Sequence, residues 1–160
     1  MLKHLGLVKM IVMEAITNKK AYFDYEILET LEAGIVLTGP EVKSVKRGQI
    51  DLSASYVNID QAGIPWLINA NVSPYPPAWQ VQQNYQPDRS RKLLLKKEEI
   101  IKLATKIKTK GLTIIPLKVY NIGGLVKIQI GLARGKKKYD KREAIKRREV
   151  ERKIRESLKR

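Results

Sequence analysis

Hydrophobic and polar positions alternate along several short runs of this chain, and one internal run follows a helical period. In 125–132 every second residue is apolar, namely Val126, Ile128, Ile130 and Leu132. This pattern is typical of a strand that buries one face. Together with 113–120 it predicts a hairpin around residues 121–124. Because proline cannot donate to a ladder, Pro116 predicts a sheet edge or a bulge in the first of these strands.

Three further runs predict sheet structure or its connections. Residues 22–37 are rich in β-branched and aromatic types with Gly34 near the end, which predicts two strands or one bent strand. Residues 56–59 and 65–68 flank turn-forming residues and predict a second hairpin. Between these regions, 42–46 lies between Glu41 and Gly48, which predicts a single helical turn.

The run 96–108 predicts the one long helix, because its apolar residues recur at i, i+3, i+4 and i+7, namely Ile100, Leu103, Ala104 and Ile107. Acidic residues open this run, basic residues close it, and Gly111 follows as a stop. By contrast, 73–87 contains four prolines and predicts a long loop. Its aromatic residues, Tyr75, Trp79 and Tyr85, either serve a function or cap the core.

These elements amount to about six short strands with one long and one short helix, a mainly β chain. We expect a closed barrel of the oligonucleotide-binding (OB) type, with the helix plugging one end, and an open α+β sheet is the alternative. The predicted domains are a flexible extension at 1–17, the barrel at 18–134 and a basic tail at 135–160. The extension is too short to span a bilayer, although it leaves open an amphipathic membrane anchor or a start downstream of Met1.

The net charge of the chain indicates a polyanionic partner. The chain has 32 Lys and Arg against 16 Asp and Glu, a net charge of +16, and the tail 135–160 alone has 13 basic and 5 acidic residues. Nucleic acid is the leading candidate, since neutralising its phosphates releases counterions. The tail favours helix through i, i+4 pairs: Glu143 with Arg147, Glu149 with Lys153, Glu151 with Arg155 and Glu156 with Arg160.

The apolar stripe of this tail is thin, consisting of Val150, Ile154 and Leu158. We therefore expect a tail that is disordered when free and helical when docked in a negatively charged groove, with a permanently solvated coil as the alternative.

The chain lacks cysteine and its one histidine is His4, which leaves little for catalysis or metal binding. The stretch G-L-A-R-G-K at 131–136 departs from a phosphate-binding loop in spacing and in its final residue. We predict no enzyme activity, no metal and no cofactor.

Basic residues interleaved with tyrosines predict an RNA-binding surface, in which lysine and arginine hold phosphates and tyrosines stack on bases. For each tyrosine a core position is the alternative. The cluster consists of Lys19, Lys20, Tyr22, Tyr25, Lys43, Lys46, Arg47, Tyr56, Arg89, Arg91 and Lys92.

Several motifs follow one another in order along the chain. They are N-K-K-A at 18–21, Y-E-I-L-E-T at 25–30, E-A-G-I-V-L at 32–37, E-V-K-S at 41–44, S-A-S-Y at 53–56, R-K-L-L-L at 91–95, G-L-T at 111–113, P-L-K at 116–118 and G-L-A-R-G-K-K-K-Y-D-K-R at 131–142. Together they resemble the SsrA-binding protein (small protein B) family. The chain departs from the family pattern at Ser53–Ser55, at Q-P-D in 86–88 and in the loop around Trp79.

The resemblance implies a cytoplasmic RNA-binding protein that is not an enzyme. It implies a barrel that binds the tRNA-like domain of transfer-messenger RNA (tmRNA, SsrA RNA) and rescues stalled ribosomes by trans-translation. The elongation factor that delivers aminoacyl-tRNA would be an indirect partner. The RNA-binding residues predicted for the barrel are Asn18, Lys19, Lys20, Tyr25, Glu32, Lys43, Tyr56, Arg91, Lys92, Leu93 and Leu94.

The resemblance also implies that the tail enters the small-subunit decoding centre and follows the empty mRNA channel as a helix. The tail residues assigned to the decoding centre are Gly135, Lys136, Lys137, Lys138, Tyr139, Asp140, Lys141 and Arg142. The basic composition equally allows a general RNA-binding protein or a ribosomal OB-fold protein. An RNA-processing enzyme is disfavoured by the scarcity of catalytic residue types.

Overall fold

The computed structural model describes residues 14–159. They contain nine strands, four α-helices and one 3-10 helix. The strands are β1 (Ile16–Thr17), β2 (Tyr25–Ile35), β3 (Ile50–Asp51), β4 (Tyr56–Ile59), β5 (Pro65–Ile68), β6 (Asn71–Val72), β7 (Arg91–Leu94), β8 (Thr113–Ile122) and β9 (Leu125–Gly135). The helices are α1 (Lys19–Asp24), α2 (Gly39–Lys46), α3 (Lys97–Lys110) and α4 (Lys138–Leu158), with a 3-10 helix at Pro76–Gln82.

Six of these strands close into a ring. Their order is β8, β4, β5, β7, β2 and β9, and β9 pairs back to β8, with every pairing antiparallel. Strand β1 adds to β8 outside the ring, and β3 pairs with β6 as a separate ribbon. The prediction of a closed, mainly β barrel is therefore confirmed. The alternative prediction, an open α+β sheet, is wrong.

The interior of the ring holds the main hydrophobic core. Leucine, isoleucine and valine side chains from the ring strands fill it, and Leu103 of α3 joins them with 1% of its surface exposed. Each fully buried aliphatic side chain of this size stabilises the fold by about 1.5–3 kcal/mol. Burial of Leu103 agrees with the prediction that the long helix closes part of the barrel, since helix and ring share one core.

A smaller cluster lies under α1. It consists of Ala21, Ile115, Leu117 and Ala133, with Tyr25 and Ile27 packed against it. Helix α1 was not predicted from the sequence. Its six residues, K-K-A-Y-F-D, are too few to show a helical period of apolar positions. Its single buried residue, Ala21, packs into this cluster.

The two bulges of the barrel agree with the sequence. Strand β2 is one continuous strand whose register against β9 shifts at Leu28, so the predicted bent strand is confirmed. In β8 the register shifts between Pro116 and Lys118, which leaves Leu117 as the extra residue. The predicted bulge at Pro116 is thus confirmed, and it directs Leu117 into the cluster under α1.

Helix α2 has eight residues, longer than the single turn predicted. A capping box explains the earlier start, since the Thr38 hydroxyl accepts from the Glu41 N–H and the Glu41 carboxylate accepts from the Thr38 N–H. The loop predicted at 73–87 also contains more structure than expected, because Pro76–Gln82 forms the 3-10 helix. Pro76 and Pro77 suit its first turn, where a missing N–H costs nothing.

Both predicted ends of the barrel differ by one or two residues from the observed strands. Ile16 and Thr17, assigned to the flexible extension, form β1 and pair with Val119 and Lys118. Gly135, assigned to the tail, is the last residue of β9 and pairs with Tyr25. The rest of the predicted extension, 1–13, lies outside the described residues.

The tail forms α4, a helix of 21 residues with none of them buried. It contacts α1 through the Lys141 ammonium, 3.2 Å from the Asp24 carboxylate, and through the Arg148 guanidinium, 5.3 Å from the centre of the Phe23 ring. Of the predicted i, i+4 pairs, Glu151 and Arg155 lie 3.9 Å apart. Arg160 lies outside the described residues, and disorder of the free tail stays a prediction.

Gly131 provides a direct test of the packing under α1. A Cβ at this position would lie 2.9 Å from Cδ1 of Leu117 and 3.0 Å from Cγ2 of Ile27. We expect Gly131→Ala to lower the free energy of unfolding by about 1–2 kcal/mol, the cost of overpacking less the entropic benefit of removing a strand glycine. Urea denaturation measures this. Gly39→Ala is the control, because a Cβ there meets nothing within 4 Å; equal stability of the two variants would contradict the account.

Candidate RNA-binding surface

A groove of about 280 Å³ lies between α1 and the loop before β4. It brings together four of the residues that the sequence predicts for RNA binding, namely Asn18, Lys20, Tyr25 and Tyr56. The remaining lining comes mainly from the loop 53–55 and from Asp24, Thr113 and Ile115. Residues separated by more than thirty positions in the chain therefore converge on one concave surface, with Lys19 exposed on the same short helix.

Asn18 builds this groove from beneath. Its side chain is buried, and its Nδ2 donates to the carbonyls of Leu52 at 3.2 Å and Pro116 at 2.9 Å. Its Oδ1 accepts from the Ala21 N–H at 3.2 Å and so caps α1. One amide thus fixes α1, the loop before β4 and the bulge of β8 relative to one another. Its polar atoms are occupied, so Asn18 positions the groove.

Lys20 and Tyr56 are the exposed cation and the exposed aromatic ring of the groove, and Tyr25 is half-buried beside them. Lys20 is exposed, and Tyr56 leaves 41% of its surface open to solvent. The loop between them is held by Asp51, whose Oδ1 accepts from the Ser53 N–H at 2.8 Å. That hydrogen bond, assisted by the nearby Lys20 charge, lowers the pKa of Asp51. The arrangement offers a cation and an exposed aromatic ring on a fixed frame.

Glu32 lies on the outer face of the ring, on β2. Its neighbour across the ladder is Gln129 of β9, which in turn pairs with Lys118 of β8. The hydroxyl of Tyr120 donates to the Glu32 carboxylate. Lys118, Tyr120 and Gln129 were missed as site residues by sequence reasoning. The period-2 pattern of β8 and β9 contained the signal, because it places these three residues on the face opposite the core.

The bond between Tyr120 and Glu32 has a measurable consequence at high pH. Partial burial and the Glu32 carboxylate raise the pKa of Tyr120 to about 12 from 10.0. Since the folded pKa lies above the unfolded one, the stabilisation is complete below pH 10 and is lost as the pH rises towards 12. Tyrosinate absorbance should show a step near pH 12, and Tyr120→Phe should remove it. A titration curve that Tyr120→Phe leaves unchanged at this pH would contradict the account.

The predicted R-K-L-L segment is divided by the period of strand β7. Lys92 and Leu94 point outwards and are exposed, whereas Arg91 and Leu93 are buried at 0% and 1%. The sequence assigns Arg91 and Leu93 to RNA binding, but their burial is incompatible with a direct contact to RNA. The sequence-based prediction treated the segment as a unit, while a strand sends alternate residues to opposite faces.

Arg91 instead belongs to a buried ionic cluster with Glu41. Its Nε donates to Glu41 at 2.8 Å, and its Nη atoms donate to the carbonyls of Ala70 at 2.7 Å and Pro87 at 2.8 Å. Arg89 also pairs with Glu41. Burial alone would raise the pKa of Glu41, but hydrogen bonds from Arg89, Thr38 and Arg91 lower it to about 2. This cluster fastens the segment 70–91 to α2.

Lys43 lies on α2 and is not part of the groove. Its ammonium is 5.5 Å from the centre of the Tyr75 ring.

Within the described residues there is no cluster of three or more His, Cys, Asp or Glu that could hold a metal ion. In the same part of the chain, no helix is both long and apolar enough to cross a membrane.

Comparison with known proteins decides the family. The profile described as SmpB protein matches residues 15–160. The chain belongs to the SmpB family. An SsrA-binding protein from a Sulfurihydrogenibium species is 53% identical over 143 residues, which cover 89% of this chain and 92% of that protein. An SsrA-binding protein from Persephonella marina is 54% identical over 138 residues, covering 86% of this chain and 89% of the relative.

A solved structure agrees with this membership. The chain resembles, with a TM-score of 0.64 and 44% identity, a chain from the work described as "tmRNA-SmpB: a journey to the center of the bacterial ribosome". The match covers 82% of this chain and 94% of that SmpB chain. The resemblance inferred from the sequence motifs is therefore confirmed.

The residues that the sequence assigns to the SmpB tail do not form one uniform segment. Gly135 ends β9, and Lys136 is held by its backbone N–H, 2.9 Å from the Asp24 carbonyl, and by its ammonium, 3.1 Å from the Tyr22 carbonyl. Lys137 is the N-cap of α4, and Lys138, Tyr139, Asp140, Lys141 and Arg142 form the first turns. Tyr139 is 70% exposed and is thus available to a partner.

Proposed function

We propose that this protein binds the tRNA-like domain of tmRNA and delivers it to stalled ribosomes for trans-translation. The observation that carries the proposal is more than 50% identity to SsrA-binding proteins over most of both chains. The groove supports it independently, because residues chosen from separate motifs meet at one concave surface. The net charge of +16 supplies the general attraction to RNA.

Within this proposal the barrel makes two kinds of contact. Lysines hold backbone phosphates, and Tyr25 and Tyr56 stack on bases or riboses that the folded RNA leaves exposed. Glu32 accepts hydrogen bonds from base or ribose donors, with Tyr120 fixing its orientation. The side chains proposed to touch RNA are Lys19, Lys20, Tyr25, Glu32, Lys43, Tyr56, Lys92 and Leu94. Asn18, Arg91 and Leu93 support them from inside.

The tail completes the proposed function on the ribosome. Residues from Lys138 onwards enter the decoding centre and the empty mRNA channel, where Tyr139 stacks on a ribosomal base. Thirteen cations in 135–160 against five acids match a channel walled by RNA phosphates. The free tail is disordered in this proposal. The protein acts in the cytoplasm, catalyses no reaction of its own, and meets the elongation factor that delivers aminoacyl-tRNA only through the RNA complex.

Single substitutions in the groove test the proposal. We expect Tyr56→Ala to weaken binding to the tRNA-like domain by roughly 5- to 100-fold, whereas Tyr56→Phe retains the stacking ring and most of the affinity. Lys20→Ala should weaken binding and reduce the slope of log affinity against log salt by about one. Filter binding across a salt series measures both effects.

Lys97→Ala is the matched control, since it removes the same charge from an exposed position at the start of α3. An equal loss for Lys20→Ala and Lys97→Ala, together with no effect of Tyr56→Ala, would mean that only the overall charge attracts RNA. That result would favour the alternative, a general RNA-binding or ribosomal protein, which the basic composition alone allows.

A further inference from the structure

The 3-10 helix presents apolar side chains to solvent where neither the barrel core nor the groove uses them. Trp79 is 62% exposed and Val81 is 78% exposed, and no residue of this helix is buried. Tryptophan is on average a highly buried residue, so an open indole at the protein surface marks a contact site more often than a packing role.

This segment is fixed in place. The side-chain amide of Gln82 accepts from the Tyr75 N–H at 2.9 Å and donates to the Tyr75 carbonyl at 2.6 Å, which closes the loop between them. Beyond it, the Tyr85 hydroxyl lies 2.9 Å from the Val72 carbonyl and 3.0 Å from the Glu41 carboxylate. Trp79 therefore projects from a loop anchored at both ends, and little ordering entropy remains to be lost on binding.

Cations lie beside the foot of this loop. The Arg47 guanidinium is 4.7 Å and the Lys43 ammonium 5.5 Å from the centre of the Tyr75 ring, so both stack on it. Both side chains are exposed, and within residues 14–159 neither forms an ion pair with an acid. The acidic residue of α2, Glu41, is buried and neutralised by Arg89 and Arg91. The exposed part of α2 thus carries positive charge without compensation.

We propose that Trp79, Lys43 and Arg47 form a second RNA contact, in which the indole stacks on an unpaired base and the two cations hold the adjoining phosphates. An aromatic platform on a loop whose base carries cations without ion-pair partners is a combination that binds single-stranded nucleic acid. The amide side chains of Gln80 and Gln83, both exposed, offer donors and acceptors to the base edge. A protein partner fits less well, because the cations Lys43 and Arg47 lie at the foot of the loop and interface cores are depleted of charge.

This surface is separate from the groove, with which it shares no lining residue. Its aromatic residue, Trp79, lies in the loop where the sequence departs from the family motifs, whereas Lys43 and Arg47 lie on α2 and at its C-cap. The inference rests on the proposed function for Lys43 as an RNA contact and adds Trp79 and Arg47 to it, so the Trp79 variants test it apart from that function.

Tryptophan fluorescence gives a direct test, because the chain has two tryptophans and the other is Trp66. In Trp66→Phe, Trp79 is the sole indole. We expect an unstructured 12-nucleotide RNA to quench its fluorescence, and the same sequence as a duplex, whose bases are already paired, to quench it little. Because Trp66 donates a hydrogen bond to Asp60, a melting curve should accompany this variant.

Affinity measurements on the otherwise unmodified chain provide the second arm and need no change at Trp66. Trp79→Ala should weaken binding of the single strand roughly 5- to 100-fold, while Trp79→Phe keeps a stacking ring and most of the affinity. The double variant Lys43→Gln/Arg47→Gln should weaken it more than Lys97→Gln/Lys108→Gln, which removes equal charge from α3.

Unchanged fluorescence together with unchanged affinity of Trp79→Ala would overturn the proposal. If Trp79→Ala instead weakened binding to ribosomal proteins freed of RNA while the affinity for RNA stayed constant, the loop would bind a protein partner. The proposal would then be wrong. Loss of tRNA-like domain binding in Tyr56→Ala, measured alongside, reports on the groove alone and separates this proposal from the proposed function.

Discussion

Truncation after Lys137 is expected to abolish peptide tagging on stalled ribosomes while leaving binding to the tRNA-like domain largely intact. The deletion removes α4, whose 21 residues contribute nothing to the buried core. It retains Gly135 and Lys136, which pair with Tyr25 and bond to α1. The barrel should therefore keep its groove and lose only the segment proposed to enter the decoding centre.

In vitro translation of a message without a stop codon measures tagging, and filter binding measures RNA affinity. The position of the cut matters. A chain ending at Arg134 would also lose the Tyr25–Gly135 pairing and both bonds of Lys136, so it should melt at a lower temperature and bind RNA less well. Tagging at the normal rate by the chain that ends at Lys137, or a parallel loss of tagging and RNA binding, would contradict the account.

Glu41→Gln is expected to lower the free energy of unfolding by about 3–5 kcal/mol, the usual cost of removing one partner from a buried ion pair. In the variant the Arg91 guanidinium, with 0% of its side chain exposed, would have no countercharge. Arg89 would lose its partner as well. The segment 70–91, which these bonds fasten to α2, should then be the first part of the barrel to exchange its amide hydrogens.

Chemical denaturation with far-UV circular dichroism measures this loss. Glu29→Gln is the matched control, because Glu29 pairs with Lys106 at a partly exposed site that solvent screens, so its loss should lower the stability much less than the loss of Glu41. A similar loss for both variants would show that the buried cluster contributes no more than a surface pair.

The Glu41 carboxylate also makes the stability of the barrel depend on pH in the acid range. The pKa of Glu41 is lowered from 4.5 to about 2, so its contribution is complete above pH 4.5 and is lost as the pH falls towards 2. The difference in stability between the wild-type chain and Glu41→Gln should therefore narrow over that interval. A difference that stayed constant from pH 6 to pH 2 would contradict the lowered pKa.

The strands and the long helix followed from periodicity because these elements bury one regular face. The alternation in 125–132 and the helical spacing of Ile100, Leu103 and Ile107 each report that constraint directly. The start of α2 was missed although its signal is local, since Thr38 and Glu41 form a capping box across T-G-P-E at 38–41. The short α1 was not predicted, because its position depends on the bonds of Asn18 to Leu52 and Pro116. Only the fold shows that this polar side chain points inwards.

The candidate site divides in the same way. Motif order placed Lys20, Tyr25 and Tyr56 in one functional group, and the structure brings them to one groove. Arg91 could not be judged from its residue type, because arginine is usually exposed and is buried only where a partner such as Glu41 compensates its charge. Tyr120, paired with Glu32 across two ladders, required the register of the sheet.

A competition experiment tests the central claim most directly. The purified protein is bound to the tRNA-like half of tmRNA in a gel shift, with ordinary tRNA as competitor, across a salt series. The account predicts a preference for the tRNA-like half that persists at moderate salt, because the groove and Glu32 add contacts that counterion release does not supply. Equal affinity for both RNAs, lost together as salt rises, would contradict it and leave only a basic barrel with a basic tail.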